Sequence, residues 1–285
     1  MKRSQAVLLL AVLLVAAVQL ASAQAAPEER FQKSFALANG GTIEVQNYKG
    51  LIRIEAAEQQ QVTVDVWKRY LGSDDKYREE WLRQTSVNLD SAGDRVKVRV
   101  EYPSHMVCIW NCDNEGGVVE LVIRTPKNVN LQIDGYKPEM KIIGTHGNIR
   151  IHSYKSEMDI RDTSGGIDID TYKGDIRLDG VALNAPLRLH NYKADTTITA
   201  RTLDHGADLE TSKGSITLRL PADTRANLDI SGDRRARIES GFAINLQSAG
   251  FASRHISGAI NGGGPQLRIR TDKGSIVLQK IGGGV

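Results

Sequence analysis

The chain has 285 residues, enough for one large domain or two small ones with a sizeable core, which excludes a peptide or mini-protein. Lys and Arg number 37 against 34 Asp and Glu, a formal charge of +3 that becomes +1 (35 against 34) without Lys2 and Arg3, and this balance argues against a nucleic-acid partner. Three Trp, eight Tyr and four Phe beside 27 Gly are a poor supply for a bulky globular core and suit many turns joining short strands.

The chain opens on a leader pattern. Lys2 and Arg3 give a positive start, Val7 to Leu20 is almost wholly apolar, and Ala21-Ser22-Ala23 offers small residues for cleavage. A signal peptide over residues 1–23, removed after Ala23, is therefore expected. The apolar run is short of the roughly 20 residues that a spanning helix needs, which disfavours an uncleaved anchor. No later stretch is long enough to span, so the expected location is periplasmic, extracellular or at the cell surface, with no transmembrane segment once the leader is gone.

Residues 24–130 read as first coil(s) plus a cap. Ile43/Val45 and Ile52/Ile54 alternate as a first coil, and Val62/Val64/Val66 as a further strand. Ser73 to Gln84 predicts a helix, with Ser73 as N-cap, Asp74 and Asp75 in the first turn and Tyr77/Trp81 at i, i+4. Arg95 to Val100 and Val118 to Ile123 alternate as strands that bracket a loop carrying Cys108 and Cys112. In an exported chain this even count favours a Cys108–Cys112 disulfide that shapes the loop. A soft-metal site using His105, Met106 and both thiolates is the alternative. The Cys-x-x-x-Cys spacing does not match a thioredoxin-like motif.

From residue 131 a repeat takes over. Leu131/Ile133, Met140/Ile142, Ile149/Ile151, Met158/Ile160, Ile167/Ile169 and Ile176/Leu178 recur in steps of nine, each pair with the period of two that marks the inward face of a short strand. A second signal has twice that period: Tyr136-Lys137, Tyr154-Lys155 and Tyr172-Lys173 lie 18 apart, with Tyr192-Lys193 and Ser212-Lys213 following at steps of 20. The same corner occurs at Asn47-Tyr48-Lys49-Gly50 and Thr271-Asp272-Lys273-Gly274. Two nine-residue halves thus make one coil of about 18–20 residues, and residues 131–285 are expected to stack as a solenoid. The fold class predicted is all-β: a flattened parallel β-solenoid (single-stranded β-helix) with an N-terminal cap containing a short helix and a hairpin. The pairs continue through Leu187/Leu189, Thr196/Ile198, Ala207/Leu209, Ile216/Leu218 and Leu228/Ile230. Register loosens from Ser231 to Gly264, Gly262-Gly263-Gly264-Pro265 marks a turn, and Leu267/Ile269 and Ile276/Leu278 form the last coil. The tail Gly282 to Val285 would leave that coil uncapped and open to end-to-end assembly.

Stacking at about 4.8 Å turns each repeat position into a row of neighbours. Gln132, Arg150, Asp168, Arg188 and Asp208 form one outward row, and Asp134, His152, Asp170, His190 and Glu210 another; the alternating signs specify register. His152, Asp170, His190 and Glu210 also carry metal-ligand chemistry, but their linear spacing builds no compact tetrahedral site. The corner residues Tyr136, Lys137, Tyr154, Lys155, Tyr172, Lys173, Tyr192 and Lys193 form the candidate ligand edge. Ammoniums beside stacked rings would hold an acidic polysaccharide by charge and by ring stacking, whereas the plainer reading is a solvated edge with Tyr packing. Glu139, Glu157, Asp175 and Asp195, two residues on, are expected to offset the lysine repulsion.

Catalytic signals are lacking. There is no Gly-x-Ser-x-Gly elbow, P-loop, His-Glu-x-x-His or dinucleotide fingerprint, and no carboxylate pair stands out from the repeat. No catalytic residue and no cofactor is expected.

The unit seen in Thr163-Ser164-Gly165-Gly166-Ile167-Asp168-Ile169, Thr211 to Leu218 and Thr271 to Leu278, with Asn261-Gly262-Gly263-Gly264 before the last coil, resembles the bacterial adhesin-like family of β-strand repeat domains. The resemblance spans about residues 36 to 280. It implies an exported β-solenoid of unassigned biochemistry at the cell envelope. The Tyr-Lys corner and the cysteine loop lie outside its general pattern. The function expected is that of a non-enzymatic envelope or surface protein binding a glycan or protein partner. The alternatives are a carbohydrate-active enzyme on a β-helix or a self-assembling envelope protein, and the oligomeric state is open.

Overall fold

The computed structural model describes residues 28–103, 116–250 and 254–282. The leader and both cysteines lie outside the described residues. What is described is all-β with one helix, and no helix among the described residues is long and apolar enough to cross a membrane.

Two stacks of parallel strands face each other. Ile149–Lys155, Ile167–Lys173, Leu187–Lys193 and Ala207–Lys213 pair in register on one side. Met158–Arg161, Ile176–Leu183, Thr196–Leu203 and Ile216–Pro221 do so on the other. Ile167 is opposite Ile149 and Leu187, and Ile176 opposite Met158 and Thr196, so steps of 18 and 20 residues both preserve the pleat. Asn128, His146, Ser164 and Ala182 form single bridges along a short third side. Each coil drives its apolar pairs into the slot between the stacks: Ile149, Ile151, Ile160, Ile169, Leu178, Leu189 and Leu209 are all buried. Burial of such an aliphatic side chain contributes about 1.5–3 kcal/mol, a gain available only when a neighbouring coil covers it.

Both ends of the stack are threaded. The coil Thr42–Ala57 does not lie outermost, because Arg95–Glu101 and Gly117–Pro126 pair on its outer edge in parallel while Asn130–Ile143 pairs on the inner one. Those two outer strands, which bracket the cysteine segment, therefore lie in different stacks and do not pair with each other. Ser86–Ala92 seals the first stack antiparallel, and Gln61–Tyr70 followed by Glu28–Ala36 seals the second.

At the other end, Gln266–Lys273 inserts between Ala207–Lys213 and Ala226–Gly232, and Ser275–Ile281 between Ile216–Pro221 and Arg237–Ser240. The last coil in sequence is thus the penultimate coil in space. The expectation that it would be left uncapped is overturned: the earlier segment covers it, and His255–Ile260 with Asn245–Gly250 closes the first stack antiparallel. On the second stack the outer edge is the four-residue strand Arg237–Ser240, a short and charged edge that discourages further pairing.

The helix runs from Asp75 to Gln84, and its N-cap is Asp74 rather than Ser73. The Asp74 carboxylate accepts the Lys76 and Tyr77 amides at 2.9 and 3.3 Å, adding the favourable charge of an anion at a helix start. Trp81 is buried but Tyr77 is 55% exposed, so the predicted pair does not share one packed face.

Candidate functional site

The Tyr-Lys corner is built from the inside outward. Just before the outward Tyr or its equivalent lies an inward polar residue, Asn47, Ser153, Thr171, Asn191, Thr211 or Thr271, in every coil but that of Tyr136, where Gly135 takes the place. Buried polar groups must find partners, and these find them largely along the stack. Ser153 Oγ donates to Thr171 Oγ1 at 2.7 Å, Thr211 Oγ1 to Asn191 Oδ1 at 2.5 Å, and Asn47 Nδ2 to the Val119 carbonyl at 2.9 Å. Sequence reasoning missed this row, although its signal, a small polar residue where alternation demands an apolar one, is present in every such coil except that of Gly135 and Tyr136.

Outside that row the rings of Tyr48, Tyr136, Tyr154, Tyr172 and Tyr192 form one stack. Centroid separations are 4.7, 4.8, 5.0 and 4.8 Å, with interplanar angles of 5–10°. In-register strands place identical side chains at the strand spacing, and aromatic rings there gain offset stacking of about 0.5–1.5 kcal/mol per pair. The faces of the inner rings are consequently covered by their neighbours. Edges and hydroxyls face solvent, with Tyr154 and Tyr172 40% and 39% exposed. Ring stacking of a sugar on these faces, one half of the sequence expectation, is therefore closed off.

Tyr102 anchors the stack at its cap end. Its ring meets Tyr48 edge-on at 6.1 Å and Trp81 at 6.3 Å, joining the helix to the row of tyrosines. The hydroxyl accepts the Val119 amide at 3.1 Å and lies 2.7 and 2.9 Å from its two acceptors, the Lys49 carbonyl and Asn47 Oδ1. Burial pushes this phenol well above the ordinary tyrosine value, against the hydrogen bonds to Val119 and Lys49. No periodicity announces Tyr102, which belongs to no repeat.

The lysines form a second row beside the rings. Lys49 pairs with Lys137, and Lys155, Lys173, Lys193, Lys213 and Lys273 follow in register. Lys137, Lys173 and Lys213 place their ammoniums 5.6, 5.1 and 4.7 Å from the centroids of Tyr136, Tyr172 and Tyr192, at cation–π distance. Lys213 Nζ also donates to Tyr192 Oη at 2.6 Å. That hydrogen bond and the ammonium's charge hold Tyr192 below the ordinary tyrosine value, and the phenol in turn holds Lys213 above the ordinary lysine value.

The carboxylates two residues on do not form ion pairs that neutralise the whole row. Asp175 Oδ1 accepts the Asp195 amide at 3.1 Å, Asp195 Oδ1 accepts the Ser215 amide at 2.8 Å, and Glu139 pairs with Lys141 at 2.6 Å. The side-chain ammoniums of Lys155, Lys193 and Lys273 make no ion pair or hydrogen bond with any described residue. A shallow groove of about 400 Å³ begins beside the lysines, and Glu139, Glu157, Asp175 and Asp195 line it.

The weak metal candidates are brought into file without converging. His152 and His190 flank Asp170 in register, with Glu210 next, and only the His190 Nδ1 to Asp170 Oδ1 distance, 3.4 Å, is close. Among the described residues no group of three His, Cys, Asp or Glu side chains is placed to hold a metal ion. The proposed bridge between Cys108 and Cys112 lies outside the described residues.

Three solved structures align over 89% of this chain. They are a "putative cell adhesion protein" from Clostridium sporogenes (9% identity, all of that chain, TM-score 0.37), a "putative adhesin" from Bacteroides fragilis (9%, 97% of that chain, 0.45) and a "putative lipid binding protein" from Parabacteroides distasonis (12%, 97% of that chain, 0.29). No curated protein matches the chain. Residues 124–279, more than half of the sequence and the whole run of regular coils, match the family described as Toastrack DUF4097. The chain therefore belongs to the Toastrack DUF4097 family.

Proposed function

We propose that this is an exported, non-enzymatic, adhesin-like protein that engages an envelope glycan or a protein partner through the Tyr-Lys edge. The observation that carries the reading is the row of lysines beside the five-ring stack, in which Lys155, Lys193 and Lys273 have no anionic partner among the described residues. Positive charge held in line on a rigid surface attracts and orients an anionic partner. The leader pattern of Lys2, Arg3 and Val7 to Leu20 supports export. In this reading residues 1–23 are removed, residues 24–130 supply the first coil and the cap with its Cys108–Cys112 disulfide, and residues 131–285 supply the repeats.

A non-enzymatic role is supported by how the outward carboxylates are used. Asp168 lies 3.5 Å from Arg150, Asp229 lies 3.0 Å from His255, and Asp195 is engaged with the Ser215 amide. Carboxylates used in this way hold neighbouring coils in register. The test is binding of purified protein to intact cells and envelope fractions, compared with a Lys155→Glu/Lys173→Glu variant at low and moderate salt. Saturable binding that the variant loses is expected. Equal binding by both proteins, or by neither, would remove the edge from function.

A further inference from the structure

We infer that the ligand of the Tyr-Lys edge is a linear acidic polysaccharide lying along the solenoid axis, with successive uronate carboxylates meeting successive lysines. This inference rests on the edge being the binding surface and adds the chemistry of what it binds. Three features of the edge select this chemistry from other anions.

The first is spacing. The lysines recur once per coil, at the strand repeat of about 4.8 Å, and Lys155, Lys173, Lys193 and Lys213 stay in register from coil to coil, with Lys137 one coil earlier. One extended pyranose residue spans nearly the same length, so a polymer with one carboxylate per sugar presents its charges at the pitch of the row. At the far end Asp272 takes the position that the tyrosines hold elsewhere, and closes the run beside Lys273.

The second is the closed ring stack. Single-stranded nucleic acids are held by bases stacking on open aromatic faces. Here the inner faces are already taken by neighbouring rings at 4.7–5.0 Å, and the Lys213 ammonium lies 4.7 Å from the centroid of the terminal Tyr192 ring. Hydroxyl-bearing ring edges remain, and they hydrogen-bond to carboxylates and sugar hydroxyls.

The third is the flanking acidic groove. Glu139, Glu157, Asp175 and Asp195, with Lys141 and Arg177 among them, line about 400 Å³ beginning two residues beyond the lysines. A polyphosphate has no hydroxyl donor to offer these acceptors. A uronate polymer brings hydroxyl donors on the same residues as its carboxylates, so acceptors alongside a cationic row match both groups.

Oligogalacturonates from dimer to octamer, titrated calorimetrically into the purified protein, test the inference. Affinity is expected to rise steeply with length and level off once an oligomer spans Lys137 to Lys213, and to fall with salt. A Lys155→Gln/Lys193→Gln variant, with its folding checked by circular dichroism, is expected to lose at least tenfold, while Lys97→Gln on another face loses nothing. Methyl-esterified oligomers, which keep the hydroxyls and lose the charge, are expected not to bind. Binding that is independent of length, equal for the esters or unchanged in the double variant would overturn the inference. If cell binding depends on Lys155 and Lys173 while no oligogalacturonate binds, the edge stands and the polysaccharide assignment falls; cell binding indifferent to those lysines removes the edge itself.

Discussion

Arg268 lies 3.5 Å from Asp229, although Asp229 belongs to a coil that precedes it in sequence and follows it in space. On its other side Arg268 is 3.8 Å from Asp208. One guanidinium thus separates two carboxylates that would be stacked neighbours if coils followed one another in chain order. The sign alternation begun by Arg150, Asp168 and Arg188 continues through the inserted strand only because it is inserted. Arg268→Asp would set three acids in a row. These side chains are about half exposed, so the cost is expected to be about 1 kcal/mol, read as a lower urea midpoint with unchanged slope. Asp229→Arg added to that variant is expected to recover part of the loss.

The ring stack predicts a positional gradient. Tyr154 is stacked on both faces, by Tyr136 and Tyr172, whereas Tyr192 has a ring on one face only. Tyr154→Ala forfeits two stacking contacts and Tyr192→Ala one, at about 0.5–1.5 kcal/mol each. In a Lys213→Met background, which removes the ammonium contacts of Tyr192, denaturant unfolding should therefore rank Tyr154→Ala below Tyr192→Ala in stability. Equal losses would show that the rings act singly rather than as a stack.

How much of this was legible follows from what repeats. The apolar pairs at nine-residue steps could be read because a parallel stack buries a side chain only where each coil repeats the one before, and the Tyr-Lys corners for the same reason. Spatial order was not legible from apolar pattern, since Leu228/Ile230 and Leu267/Ile269 are interchangeable as core pairs. The charges held the missing signal: Asp229 after Asp208 breaks the alternation that Arg268 restores. Tyr48 carried the corner motif but lies far from the other tyrosines in sequence, and only the pairing of Thr42–Ala57 with Asn130–Ile143 brings it onto Tyr136. Tyr102 had no pattern to betray it, because its role depends on a single cap contact.

Gly174 tests the corner itself. Its φ of +111° lies in the left-handed region, and a Cβ there would collide with the Ser156 carbonyl of the coil before. Gly40 has φ +80° but open space around it. Gly174→Ala is expected to cost about 1–3 kcal/mol and Gly40→Ala less, since only backbone strain applies at the latter. Thermal unfolding of both variants checks the order. A reversal would mean that the corner yields without disturbing the coil beneath it.

Tyr192 and Tyr102 are displaced in opposite directions, and alkaline titration should separate them. Tyr192 is held low by the Lys213 hydrogen bond and charge, so it ionises before an ordinary tyrosine; Tyr102 is held high by burial, so it ionises after one. For Tyr192 the unfolded state binds more protons between the depressed folded value and the ordinary one. Stability from this group therefore grows as pH rises through that window and is lost as pH falls back through it. Lys213 has the opposite sign: its raised folded value adds stability below the ordinary lysine value, lost as pH climbs through the folded one. The two protons belong to one coupled pair. Tyr102 kept neutral by burial opposes ionisation altogether, so stability falls once the pH exceeds the ordinary tyrosine value, where the unfolded chain releases a proton that the folded one retains. Phenolate absorbance should show an early step that Lys213→Met moves to higher pH, and a last step, coincident with unfolding, that Tyr102→Phe removes. An early step unmoved in Lys213→Met would dissociate the lysine row from the ring stack.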